Sequence, residues 1–211
     1  DTDVPSRGVV RNVAWTLKEA RREADGTVLL TLTPPPLDNL VLRLTMQLRI
    51  GRTLEQRLIT ENSGSQPVSF TQALHNYFRV DDATAVDVQG LDGLTYLDKF
   101  ENYATPRVQQ GDWNLRDPRD PGRSDRIYTG AGGRYVLKDP GLKRRIEITT
   151  QGSRSLVAWN PGQAGAAGMA DVGAGWRNYV CLEAANAGPD VITLPAGASH
   201  TLTQTFRVLP L

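Results

Sequence analysis

The sequence contains little cysteine and little histidine. Its 211 residues include one cysteine, Cys181, and two histidines. A lone cysteine cannot form an internal disulfide, and this set of residues offers no recognisable zinc-binding pattern. The composition fits a reducing compartment, and we expect a cytoplasmic protein.

Long apolar runs and a dominant charge are also absent. No apolar stretch approaches the ~20 residues that a bilayer-spanning helix requires, so we expect no membrane partner. The 24 basic and 23 acidic residues give a net charge of +1. Bulk electrostatics therefore gives no indication of a nucleic-acid partner.

What the sequence does contain is strand-like alternation. The clearest case has apolar residues on one face and polar residues on the other: Leu40, Leu42, Leu44, Met46, Leu48 and Ile50 against Arg43, Thr45, Gln47 and Arg49. Strict alternation over this length predicts a long, half-buried β-strand. The segment 15–24 has helical propensity, but Asp25-Gly26 followed by an apolar run favours two strands joined by a tight turn.

Short strand-like runs recur in the second half of the chain, at Arg134–Lys138, Arg145–Thr150, Leu156–Trp159, Tyr179–Ala184 and Leu202–Leu209. Residues 100–123 read as a long loop, and Pro161–Gly175 reads as a loop or a mobile flap. With no convincing amphipathic helix and no shift in composition, we expect an all-β sandwich or barrel that forms one domain over residues 1–211.

His75 lies in the apolar and aromatic stretch Ser69–Phe78, which reads as a buried strand ending at a cavity. One interpretation is a core histidine whose two nitrogens are satisfied by neighbours. The other is a functional histidine, because Leu74, Tyr77 and Phe78 would partly desolvate it and aromatic faces commonly line sugar pockets.

Glu183 is a single carboxylate in the strand-like run Tyr179–Ala185. Val180, Leu182 and Ala184 would point to one face of this strand, and Glu183 to the other, which is also largely apolar. A buried carboxylate is costly unless it is paired or hydrogen-bonded, so it is a candidate functional residue. The alternative is a salt bridge to a nearby arginine.

Two further residues are weaker candidates on local grounds. Asp125 lies where the long loop re-enters the sheet and could accept hydrogen bonds from ligand hydroxyls, or be an ordinary turn aspartate. Arg11 suits bidentate recognition of a phosphate, or is a surface arginine.

Six segments in order resemble one known family: Ala73–Val80, Val88–Leu91, Tyr96–Lys99, Ser124–Tyr128, Val157–Pro161 and Val180–Glu183. Together they resemble the hexose-6-phosphate mutarotases (glucose-6-phosphate 1-epimerases) of the aldose 1-epimerase superfamily. The resemblance implies a galactose-mutarotase-like β-sandwich (a supersandwich) and a cofactor-free reaction that interconverts the anomers of a hexose 6-phosphate. It also implies that Glu183 is the general base, His75 the general acid, Asp125 a ligand of sugar hydroxyls and Arg11 a ligand of the phosphate.

The resemblance begins near Ser6, and the N-terminal strands of the family have no counterpart in this sequence, so the sandwich is expected to be incomplete at its N-terminus. Three explanations stay open: a separate N-terminal segment or chain supplies the strands, the protein was trimmed, or it is a reduced variant. Besides an enzyme, the alternatives are a carbohydrate-binding or regulatory module whose catalysis has lapsed, and a structural subunit that pairs with an N-terminal partner.

Overall fold

Two antiparallel sheets form most of the structure, a computed structural model that describes residues 8–37, 40–119 and 121–211. Strands are numbered in chain order. The larger sheet has eight strands, in the spatial order β1 (Thr16–Arg22), β2 (Val28–Thr33), β3 (Leu42–Ile50), β4 (Leu54–Asn62), β17 (Ser199–Pro210), β13 (Arg144–Gln151), β12 (Arg134–Asp139) and β8 (Asp87–Gln89).

The second sheet has seven strands and carries the candidate site. Its order is β10 (Arg107–Val108), β9 (Thr95–Asp98), β11 (Ser124–Thr129), β14 (Ser155–Asn160), β15 (Tyr179–Asn186) and then β6 (Gln72–Leu74), while β7 (Tyr77–Arg79) pairs with the other end of β15. A separate two-stranded ladder joins β5 (Val68–Phe70) to β16 (Ile192–Leu194).

The first strands follow the sequence pattern closely. β1 and β2 form the hairpin predicted at Asp25-Gly26, and the side chain of Asp25 accepts a hydrogen bond from the backbone of Thr27 at 2.9 Å to close the turn. β3 matches the predicted alternating strand. The all-β prediction is confirmed, whereas the assignment of residues 1–211 to one domain stays a prediction.

The main hydrophobic core lies between the two sheets because each contributes one apolar face. From the larger sheet come Val88, Tyr135, Leu137, Ile146 and Ile148, and from the smaller sheet come Tyr96, Tyr128, Leu156, Ala158, Val180 and Leu182. On each strand of the smaller sheet, the residues between these core positions point away from the core, since successive side chains point to opposite faces. We call this second surface the outer face.

A buried ionic network lies under β11, on the core side. Arg126 is 1% exposed; it donates to Gln109 and Asp117 at 3.2 and 2.8 Å, and it lies 3.5 Å from Asp98. Its guanidinium also stacks over the ring of Tyr96 at 4.5 Å. A buried guanidinium requires such partners, so the network fixes the loop that carries Gln109 and Asp117 against the sheet.

The expectation of a simple loop over Pro161–Gly175 is wrong in part. This segment contains a short helix, α1 (Gly162–Ala166), and the start of a 3-10 helix, Gly173–Asn178. Asn160 explains the local order, because it accepts from the backbone of Gly162 and donates to the carbonyls of Trp176 and Tyr179 at 2.8 and 2.7 Å. Within the described ranges, no helix has the length and hydrophobicity needed to cross a bilayer.

The ionic network predicts acid sensitivity. Burial disfavours the ionised carboxylate of Asp117, but hydrogen bonds from Arg119 and Arg126 outweigh this effect and lower its pKa to about 2. Because the folded-state pKa lies below the usual 3.8, the stabilisation is complete above that value and is lost as the pH falls toward 2. We expect Asp117→Asn to lower the free energy of unfolding at pH 7 by about 2 kcal/mol, and to flatten its decline in acid, as measured by urea unfolding.

Asp112→Asn is the matched control. Asp112 lies in the same loop, and its carboxylate makes no hydrogen bond or ion pair within the described part of the chain. Equal effects of the two substitutions would show that the network does not set the acid sensitivity.

Candidate active site

The strand register places one row of site residues across the outer face. Asp125 on β11 is opposite Trp159 on β14, Trp159 is opposite Cys181 on β15, and Cys181 is opposite Tyr77 on β7. Directly opposed residues in antiparallel strands point to the same side of the sheet. Of these four side chains, those of Tyr77 and Asp125 keep exposed surface, whereas Trp159 and Cys181 are buried.

Glu183 and His75 belong to the adjacent row. Glu183 is opposite Val157, and the pairing of Ala184 with Leu74, continued by one residue, places His75 opposite Glu183. His75 Nε2 lies 3.3 Å from Glu183 Oε1, and their side chains are 27% and 7% exposed. The two residues that were predicted to be acid and base are therefore in contact, with the histidine on the solvent side.

His75 does not lie within a strand, which corrects the prediction for Ser69–Phe78. That stretch holds parts of three short strands, and His75-Asn76 separates β6 from β7, which both pair with β15. The cause is in the facing sheet: the side chain of Gln204 donates to the carbonyl of Leu182 at 2.9 Å, and Asn76 donates to Gln204 and Gln56. At His75-Asn76, hydrogen bonds to the side chains of Gln56 and Gln204 from the larger sheet thus take the place of pairing between strands.

Aromatic rings surround the imidazole. Tyr77 stacks on His75 with ring centroids 4.9 Å apart and an interplanar angle of 16°. Trp159 meets His75 edge-on at 5.8 Å, and Tyr179 packs against both Tyr77 and Trp159. These contacts fix the ring orientation of His75, and the half-exposed Tyr77 offers an apolar surface for the C–H face of a sugar.

Asp125 is paired with Lys99, whose Nζ lies 3.2 Å from Asp125 Oδ2. Lys99 begins a 3-10 helix, Lys99–Glu101, which follows β9 directly. Burial raises the pKa of Tyr103, and the carboxylates of Asp125 and Asp98 add to the shift. The sugar-hydroxyl ligand implied by the resemblance thus lies in the same row as Trp159, beside a lysine.

Arg11 lies in an exposed turn before β1. No hydrogen bond or ion pair joins it to this cluster or to any other of residues 8–37, 40–119 and 121–211. The indole of Trp15 donates to the carbonyl of Val10 at 3.1 Å and so holds the turn. A role for Arg11 in phosphate binding stays a prediction.

A groove of about 750 Å³ lies elsewhere, where the ends of β11, β13 and β14 approach β16 and β17. Its lining includes the second histidine, His200, but none of the candidate site residues. Of the described residues, Ser153 and His200 each keep a buried polar atom without a hydrogen-bond partner there. Both atoms are closed off from solvent, so they are not presented to a ligand in the groove.

Sequence reasoning missed Lys99 and Trp159 as site residues, and it missed the role of Asn76. Lys99 and Trp159 lie within the segments that carry the family resemblance, so the signal was present, but their role depends on register. Asn76 also lies within such a segment, but its role could not be read from the sequence, because its partners Gln56 and Gln204 come from the other sheet.

The fold and this cluster agree with the family assignment. The family model described as aldose 1-epimerase matches residues 2–207. The chain belongs to the aldose 1-epimerase family.

Two curated relatives illustrate the similarity, and both are named "Putative glucose-6-phosphate 1-epimerase". The chain is 34% identical to that of Escherichia coli (strain K12), over 97% of this chain and 68% of the relative. It is 32% identical to that of Salmonella typhimurium, over 85% of this chain and 60% of the relative. The chain thus spans about two thirds of the length of these relatives.

Solved structures show the same fold. The crystal structure of "a putative mutarotase (YeaD)" from Salmonella typhimurium superposes with a TM-score of 0.86 at 27% identity, covering 100% of this chain and 70% of the other. The galactose-mutarotase-like sandwich expected from the sequence is confirmed.

The contacts of Asn76 predict a measurable effect on the site. Asn76→Ala removes the hydrogen bonds to Gln56 and Gln204 and leaves the amide oxygens of the partly buried Gln56 and the fully buried Gln204 short of a donor. We expect the free energy of unfolding to fall by about 1–3 kcal/mol and the NMR resonances of the His75 ring to shift. Asn178→Ala, which removes one exposed hydrogen bond to the carbonyl of Asp81, is the control and should change stability by less than about 0.5 kcal/mol. If the NMR resonances of the His75 ring do not shift in the Asn76 variant, Asn76 does not fix the position of His75.

Proposed function

We propose that the protein interconverts the α and β anomers of a hexose 6-phosphate such as glucose 6-phosphate. The observation that carries the proposal is the 3.3 Å contact between His75 and Glu183 on the aromatic outer face. The family supports a sugar epimerase, and the names of the curated relatives support a glucose 6-phosphate substrate.

The spacing of the two groups suits this reaction. Anomerisation requires proton transfer at the anomeric hydroxyl and at the ring oxygen, and both oxygens are bonded to the same carbon. An acid and a base that serve two such oxygens can therefore be close neighbours, as His75 and Glu183 are. Glycoside hydrolysis instead uses two carboxyl groups at separations of roughly 5–9.5 Å, on opposite sides of the reacting carbon.

The proposed sequence begins when Glu183 removes the proton of the anomeric hydroxyl and protonated His75 donates its proton to the ring oxygen. The bond between the anomeric carbon and the ring oxygen breaks, and the open-chain aldehyde forms. Rotation about the C1–C2 bond presents the other face of the aldehyde. Ring closure then reverses both transfers, so each group recovers its starting protonation state.

The surrounding residues bind and orient the sugar. Asp125 accepts hydrogen bonds from ring hydroxyls, while the half-exposed ring of Tyr77 packs against the apolar face of the sugar. Arg11 binds the phosphate. A cytoplasmic location stays a prediction.

The roles of the pair are tested by Glu183→Gln and His75→Asn. Each substitution removes one positioned proton transfer, so we expect kcat to fall by roughly 100- to 10,000-fold with a small change in KM. Exchange of the glucose 6-phosphate anomers is followed by NMR exchange spectroscopy and by polarimetry. Glu61→Gln, an exposed glutamate of β4 in the other sheet, is the control and should retain the full rate.

The outcomes separate the alternatives. A wild-type protein that binds glucose 6-phosphate without exceeding the spontaneous rate supports the lapsed binding module. A wild-type rate in the Glu183 variant shows that the base is another group, while the activity itself stands.

A further inference from the structure

Two ion pairs connect β9 to β11, one on each face of the sheet. The dipeptide Asp98-Lys99 runs antiparallel to Asp125-Arg126, with Asp98 opposite Arg126. Because neighbouring residues point to opposite faces, the Asp98–Arg126 pair lies in the core and the Lys99–Asp125 pair lies on the outer face.

The inner pair fixes the backbone that carries Lys99. Asp98 is 2% exposed, and besides contacting Arg126 it accepts a hydrogen bond from the backbone of Phe100 at 2.9 Å. The backbone of Tyr103 donates to the carbonyl of Asp98 at 2.8 Å. The turn that returns the chain to Asp98 includes Asn102 and Tyr103, both with positive φ, 51° and 57°. Non-glycine residues in this conformation persist where the surrounding contacts hold them.

The Lys99–Asp125 pair on the outer face contributes little to the stability of the fold. The side chain of Lys99 is 57% exposed, whereas that of Asp125 is 14% exposed. An ion pair in which one partner is this exposed is worth about 0–1 kcal/mol in folding. An anchored lysine beside a mostly buried carboxylate in the site row therefore fits a role in presenting that carboxylate to a ligand.

We propose that Lys99 is a positioning residue for Asp125 in the sugar site. The inference rests on the proposed function, in which Asp125 accepts hydrogen bonds from sugar hydroxyls. The ammonium holds one carboxylate oxygen in place and so fixes the orientation in which the carboxylate accepts hydrogen bonds.

The test is a double-mutant cycle on binding. Dissociation constants for glucose 6-phosphate are measured by isothermal titration calorimetry for the wild type, Lys99→Met, Asp125→Asn and the double variant. We expect Lys99→Met to weaken binding about fivefold in the wild-type background and by less than about twofold with Asp125→Asn, because coupled residues are not additive.

Two further variants distinguish positioning from a general loss of charge or of structure. Lys99→Arg keeps a cation at the same place and should restore binding to within about twofold of the wild type. Lys18→Met removes an exposed cation from β1 in the other sheet and should leave binding unchanged. In the anomerisation assay, Lys99→Met should raise KM while kcat changes by less than about twofold.

Additive effects of the two substitutions, or equal weakening by Lys99→Met and Lys18→Met, would overturn the inference. If the wild type binds the sugar phosphate but does not accelerate anomer exchange, the proposed reaction is lost and the binding cycle still decides the role of Lys99. If the wild type does not bind glucose 6-phosphate, both proposals are wrong.

Discussion

The candidate site depends on β15, whose side chains point alternately to the core and to the outer face and whose two edges are both paired. This strand pairs with β14 along one edge and with β6 and β7 along the other, so its register is set from both sides. Val180, Leu182 and Ala184 consequently enter the core, which leaves Glu183 no orientation except the outer face. A slip of one residue would exchange the two sets and place a carboxylate in the core, so the cost of burying a charge opposes that slip.

The strands of the first half were readable from sequence because their determinants are local. The alternation of β3 and the Asp25-Gly26 turn lie within a few residues of the structure they define. The face of Glu183 was readable for the same reason, since it follows from the residues on either side. The family resemblance added the connection between Glu183 and His75, which local pattern could not supply.

The features that the sequence did not predict depend on contacts between residues that are distant in the chain. The break at His75-Asn76 exists because Gln56 and Gln204 reach across from the larger sheet. The pairing of Lys99 with Asp125 depends on the register of β9 against β11, and β9 was not predicted at all. The order in the segment after β14 depends on Asn160, whose side chain joins the two ends of a stretch rich in glycine and alanine.

The contacts between distant parts of the chain also bear on folding. In the larger sheet β4 pairs with β17, and in the smaller sheet β6 pairs with β15, so the first half and the last third of the chain meet in both sheets. Non-local pairings of this kind form slowly, because the entropy cost of closing the loop comes before the contacts that compensate for it. The contact between His75 and Glu183 lies at one of these junctions. The contact therefore requires the long-range pairing of β6 with β15, and local structure alone cannot bring the two side chains together.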